Sequence, residues 1–195
     1  MSTWEDIFGG GSSGYPYKPG VFYPAIQINL LASVITANRD YITPLHPRSI
    51  ITVGEIAYKR VATTAGDVYV GIYDFAGNLL TDCAVDANTT AGLHAVSTTP
   101  VLLDAGEWYW MAVNASSGVV NGDTIYANDV ESIDWFGSRN MLGYAVDVGF
   151  DPTATSGTSK LSGYKSRSNA ALPSTQTMTG WVADQFTPFI GVIGV

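Results

Sequence analysis

Residues able to do acid–base or metal chemistry are few and scattered along this chain. It holds two histidines and one cysteine. His94 lies in a strand-like stretch, with Asp86 eight residues upstream. His46, between Leu45 and Pro47, reads as a turn residue. A Ser-His-Asp triad assembles in space rather than along the sequence, so two histidines give it little material. Glu107 precedes Trp108, Tyr109 and Trp110 and puts a carboxyl beside rings on which a sugar could stack. Paired with a second acid, it would suit glycoside hydrolysis. The run Trp108–Val113 reads more simply as a core strand, with Glu107 in the turn that introduces it. Gly10, Ser12 and Gly14 match Gly-x-Ser-x-Gly, and Gly9, Gly11 and Gly14 match Gly-x-Gly-x-x-Gly. Both motifs need a strand before and a helix after, and this Gly/Ser run has neither. Calcium is the one metal whose ligand types are present. Asp82, Asp86 and Asn88, or Asn121, Asp123, Asn128 and Asp129, supply loop oxygens without EF-hand spacing. Cys83 has no partner for an internal disulfide and leaves no cysteine-based zinc site. No catalytic residue, cofactor or metal is assigned.

The elements that would position such groups read as strands. Val68, Val70 and Ile72 alternate with Tyr69, Gly71 and Tyr73, a period of two. Asp74-Phe75-Ala76-Gly77-Asn78 supplies a turn before Leu79-Leu80. A second turn, Asp104-Ala105-Gly106, leads into Trp108–Val113, which is apolar on both parities, as in a central strand covered on both faces. Asn121-Gly122-Asp123 reads as a third turn. Further strands are expected at 21–33, 50–62, 84–86, 93–98, 144–148 and 189–193. Helical periodicity is poor, and short strands with frequent turns predict an all-β, antiparallel, jelly-roll-like β-sandwich.

Three regions separate along the chain. Residues 1–20 read as an extended N-terminal arm and linker. There Trp4, Ile7 and Phe8 precede a Gly/Ser hinge, and Tyr15 and Tyr17 sit in a stiffer Pro-containing piece. Residues 21–195 form the sandwich. Within it, 151–180 is a long Ser/Thr/Gly-rich loop, carrying Lys160, Lys165 and Arg167 around Tyr164 as a possible host-facing surface.

The 195 residues carry a formal charge of −8 with only 13% charged residues, yet 46% are hydrophobic. That balance excludes a disordered chain and argues against nucleic-acid binding through a basic surface. The acidity is local. Residues 61–138 hold ten acids and no Lys or Arg, and the remainder is slightly basic. No apolar run reaches the roughly 18 residues of a membrane helix. Met1–Phe8 shows neither a basic nor an apolar signal region, so synthesis in the cytoplasm without a signal peptide is expected.

The pattern Val70-Gly71-Ile72-Tyr73-Asp74-x-x-Gly77-x-Leu79 is followed, after a spacer containing Gly92, by a second pattern at Leu102–Val113, Leu-x-x-Gly-x-x-Tyr-Trp-x-Ala. Together with Ile50–Ala62 and the ending Leu172-Pro173 … Pro188-Phe189-Ile190-Gly191-Val192, it resembles a β-sandwich module of bacteriophage virion proteins. Such modules occur in tail fibres, baseplates and head appendages. The resemblance spans roughly residues 48–195 and leaves the arm outside. It implies sandwich core and turn chemistry, with no cofactor and no inherited binding residue. The resulting expectation is a non-enzymatic virion structural protein, a tail-fibre or baseplate component. It would dock on other virion proteins through Trp4, Ile7, Phe8, Tyr15 and Tyr17 and assemble as a trimer by analogy. Capsid decoration is the alternative within that class. From another class, a module binding host surface glycans would show a solvent-facing row with Tyr144, Tyr164 or Trp135.

Overall fold

A computed structural model describes residues 19–20, 22–24, 33–47, 49–60, 66–83, 86, 90–116, 121–124, 162–184, 186–188 and 190–195. In chain order the strands are β1 (Phe22–Pro24), β2 (Ser33–Val34), β3 (Arg39–Leu45), β4 (Ile51–Arg60), β5 (Val68–Asp74), β6 (Leu79–Asp82) and β7 (Gly92–Leu103). They continue with β8 (Tyr109–Ala115), β9 (Asn121–Thr124), β10 (Ser162–Ser166), β11 (Val182–Asp184), β12 (Phe186–Pro188) and β13 (Ile190–Gly194). Every strand pairing among the described residues is antiparallel. A four-stranded sheet runs β1-β13-β4-β7 and a six-stranded sheet β11-β10-β3-β8-β5-β6, with a small β12-β9-β2 sheet beside them. Among the described residues there is no helix, so none is long and apolar enough to cross a membrane.

The main core lies between the two larger sheets. Strand alternation sends Val53, Ile56 and Tyr58 of β4 and Val192 of β13 inward, where they meet Val70 and Ile72 of β5 and Met111 and Val113 of β8. The apolar run expected to be covered on both faces is β8, which sits between β3 and β5 and is buried at every position. Its second face carries a separate cluster. Trp110 and Ala112 pack with Ile42 and Tyr73 beneath Leu172 and Trp181. The segment 167–181 therefore lies as a strap across the outer face of the six-stranded sheet.

Two expected turns form as read. Gly77 (φ 93°) and Gly106 (φ 80°) take the left-handed conformation that glycine adopts without steric cost. Asp74 closes the first turn: its Oδ1 accepts the Asn78 amide at 2.8 Å, and its Oδ2 accepts the Asn78 side-chain amide at 2.8 Å. A Cβ on Gly77 would also run into the Gln176 carbonyl of the strap, so this glycine serves the turn and the strap contact together.

Several elements differ from the sequence expectation. Asn121-Gly122-Asp123, read as a turn, belongs to strand β9, because β2 and β12 pair with it from both sides. Long-range pairing overrides local turn preference there. Residues 162–166, inside the expected loop, form β10 and pair with both β3 and β11. Strand β3 was not anticipated, since Pro44 interrupts it. The proline is tolerated because β10 reaches only as far as Ile42, so no ladder on that side needs an amide at position 44. The expected strand at 144–148 lies outside the described residues.

Candidate functional site

Polar side chains collect at three places. The first is the outer face of the six-stranded sheet. Asp40 of β3 stands directly opposite Asn114 of β8 in register, and both are buried. Asp40 Oδ1 accepts from Asn114 Nδ2 at 2.7 Å, and its Oδ2 accepts from Gln176 Nε2 at 2.9 Å and from Arg167 Nε. The Arg167 fork also donates to the carbonyls of Ala170 and Ala171, each at 3.1 Å. Asn114 Oδ1 in turn accepts from Asn169 Nδ2 at 2.7 Å. One carboxylate thus gathers donors from β8 and from both halves of the strap, which satisfies a charge that could not otherwise stay buried. Tyr73 donates to the Pro173 carbonyl at 2.8 Å; burial first, then the Asp40 charge, pushes its hydroxyl well above the ordinary tyrosine value.

Of the residues expected to face a host, Tyr164, Lys165 and Arg167 are among the described residues. Tyr164 is half-buried, with the Arg39 guanidinium 3.7 Å from its ring centroid and the Tyr41 ring 5.9 Å away. Lys165 donates to the Thr177 carbonyl and lies 4.7 Å from the centroid of the Trp181 ring. Burial lowers its pKa, and the Asp40 charge opposes that shift. Trp181 donates to the same Thr177 carbonyl at 3.0 Å. Lys165 and Arg167 fasten the strap, whereas Tyr164 packs against the inter-sheet core. Lys160, Trp135 and Tyr144 lie outside the described residues, as do Trp4, Ile7, Phe8, Tyr15 and Tyr17.

The second place lies between the sheets. Tyr58 of β4 donates to Asp86 Oδ2 at 2.6 Å, and His94 Nδ1 lies 2.9 Å from the same oxygen. Asp86 and His94 resemble two members of a triad, but Nε2, where a nucleophile would stand, is filled by the Thr90 carbonyl at 2.8 Å. The His94 and Asp86 side chains are buried, 5% and 10% exposed. The spacing of Asp86 and His94 was visible in the sequence; their meeting with Tyr58 came only from the pairing of β4 with β7, which sets Tyr58 opposite His94.

The third place is the rim of the six-stranded sheet, just past the buried row of Pro44, Trp110 and Tyr73. Here exposed His46 stacks on half-buried Trp108 with ring centroids 4.4 Å apart, and its Nε2 lies 3.0 Å from the Gly106 carbonyl. Phe75 remains 41% exposed and stacks at 6.1 Å on buried Trp110. Glu107 is exposed beside them. Of the three aromatics after Glu107, Tyr109 and Trp110 are buried, and only Trp108 keeps a partly open surface.

Among the described residues no group of three His, Cys, Asp or Glu side chains is placed to hold a metal ion. Of the two calcium loops considered, Asn88, Asn128 and Asp129 and the side chains of Asn121 and Asp123 lie outside the described residues. Asp86 is already engaged by Tyr58 and His94. Cys83 is buried, and burial pushes its thiol up. No protein-family model matches this sequence, and no curated protein matches it either.

Proposed function

We propose that this chain is a non-enzymatic structural component of a bacteriophage particle, a tail-fibre or baseplate appendage docked by residues 1–20. In this reading the sheets are arranged as a jelly roll and the assembly is a trimer. The observation that carries the reading is how the residues of the resemblance are used. Val70–Leu79 and Leu102–Val113 build adjacent central strands β5 and β8 and the turns entering and leaving them. Asp74 and Gly77 close a turn, Tyr109 accepts the Asp104 amide at 2.9 Å, and Trp110 and Tyr73 carry the strap. These residues serve scaffold roles, as a mechanical module requires. The test is removal of residues 1–14. The truncated chain is expected to keep its cooperative melt and to be missing from purified particles; normal occupancy in particles would overturn docking by the arm.

A second reading, recognition of host surface glycans, is favoured by the rim row of His46, Trp108 and Phe75, whose rings reach solvent across three neighbouring strands. Aromatic rings with adjacent carboxylates suit neutral sugars. A glycan array is expected to give a binder whose signal falls at least about tenfold in Trp108→Ala, the loss of roughly 1.4 kcal/mol of contact. An array without signal above background removes this reading.

A further inference from the structure

We propose that Asp86 and His94 form a proton-dependent clasp joining the two sheets, closed while the pair holds its extra proton and weakened once that proton is lost. The inference does not rest on the virion reading. Asp86 is tied by its backbone to one sheet and by its side chain to the other. Its amide donates to the Val68 carbonyl of β5 at 2.9 Å, and its carbonyl accepts the Val68 amide at 3.1 Å. Its carboxylate accepts from Tyr58 of β4 at 2.6 Å and meets His94 of β7 at 2.9 Å. This one residue therefore bridges the six-stranded and four-stranded sheets through a site whose His and Asp side chains are 5% and 10% exposed.

Hydrogen-bond accounting sets the protonation. His94 Nδ1 faces the Asp86 oxygen, and Nε2 faces the Thr90 carbonyl at 2.8 Å. Both partners accept, whereas a neutral imidazole has a single N–H. One more proton must lie between Nδ1 and Oδ2, on either atom, to fill both contacts. Its loss sets two acceptors against each other, either Nδ1 and the Asp86 oxygen at 2.9 Å or Nε2 and the Thr90 carbonyl at 2.8 Å. The Thr90 hydroxyl, 3.4 Å from Nε2, lies farther off than the carbonyl.

The surrounding groups do not supply that proton exchange. Among the described residues, Tyr58 of β4 donates to Asp86, Arg60 of β4 acts on Tyr58, and Cys83 after β6 feels the charges of Asp82 and Asp86. Arg60 keeps its charge at any ordinary pH and donates to the Gly66 carbonyl at 2.6 Å. Tyr58 is pushed above its ordinary value by burial first and Asp86 second, so it remains a donor through the neutral range. Burial likewise keeps the Cys83 thiol protonated. Imidazole is the side chain that ordinarily exchanges a proton between about pH 5 and 8. A folded state that binds a proton the unfolded chain releases loses stability as pH rises.

The test compares melting of the full chain and of His94→Gln across roughly pH 5.5 to 8.5. His46 is present in both proteins, so its contribution is common to both. The wild-type melting temperature is expected to fall by about 3–6 °C relative to the variant over this range; parallel curves would overturn the clasp. Nitrogen NMR of histidine-labelled wild type decides the matter even where the variant does not fold. An N–H on both His94 ring nitrogens, or a proton shared with Asp86, is expected at about pH 6.5. A single N–H on the ring, on either nitrogen, beside an ionised Asp86 would overturn it.

Discussion

Asp40→Ala is expected to lower the unfolding free energy by about 3 kcal/mol, the low end of what breaking a buried ion pair costs. The low end applies because the Arg167 side chain keeps 28% of its exposure and can regain water when its anion is removed. Asp40 itself is essentially inaccessible, and its removal takes the carboxylate acceptor from the Asn114 and Gln176 amides. Urea denaturation gives the loss. Limited proteolysis should show earlier cutting within 167–181, since both ends of the strap lose the same acceptor. A second readout is independent of unfolding. The Asp40 charge helps hold the Tyr73 hydroxyl above its ordinary value, so spectrophotometric titration of the variant should move that tyrosine down. A loss below about 1 kcal/mol, the scale of a surface pair, with unchanged proteolysis, would mean that the strap stays down by apolar packing alone.

Apolar packing sets the second large effect. Trp110→Ala is expected to cost about 3–5 kcal/mol, as large-to-small aromatic substitutions in cores do. Trp110 is 1% exposed and fills the space between β8 and the strap residues Leu172 and Trp181. Among the described residues no second layer covers the strap, so the lost contacts are replaced by water or by local opening. Met111→Ala is the control. Met111 points to the opposite face of β8, into the inter-sheet core. Its loss should lower stability by about 2–5 kcal/mol without opening residues 167–181 to protease. Asp40→Ala combined with Trp110→Ala should cost less than the sum, because residues that share one detachable element are not independent. Full additivity, or strap opening in Met111→Ala, would show that the strap is not a separate unit.

The parts of this fold legible in the sequence are those governed by near neighbours. Val68–Tyr73 alternates because one parity enters the inter-sheet core while Tyr69 and Tyr73 face the strap. Trp108–Val113 lacks alternation because both its faces are covered, and β8 is the central strand that this pattern implies. The turns at Gly77 and Gly106 were legible because a positive φ leaves little choice of residue. Strand β3 escaped notice because Arg39, Asp40 and Pro44 break its apolar pattern. Asp40 is tolerable only against Asn114, Arg167 and Gln176, residues 74, 127 and 136 positions away.

The same distinction divides the chemistry. An acidic stretch at 61–138, an all-β class and a shortage of nucleophile–base pairs follow from composition and spacing alone. Whether a given charge faces a partner or the protein's own core does not follow from them, because that depends on what the fold lays on top. Lys165 and Arg167 stand in a polar, small-residue segment that reads as open loop. Yet β10 joins β3 and draws both side chains onto Thr177 and Asp40. The spacing of Asp86 and His94 is visible in the sequence, but Tyr58 joins them only when β4 and β7 pair. Local periodicity carries the information for strands and turns. Burial of a polar group is a long-range property, decided only when distant donors and acceptors are close enough to satisfy one another.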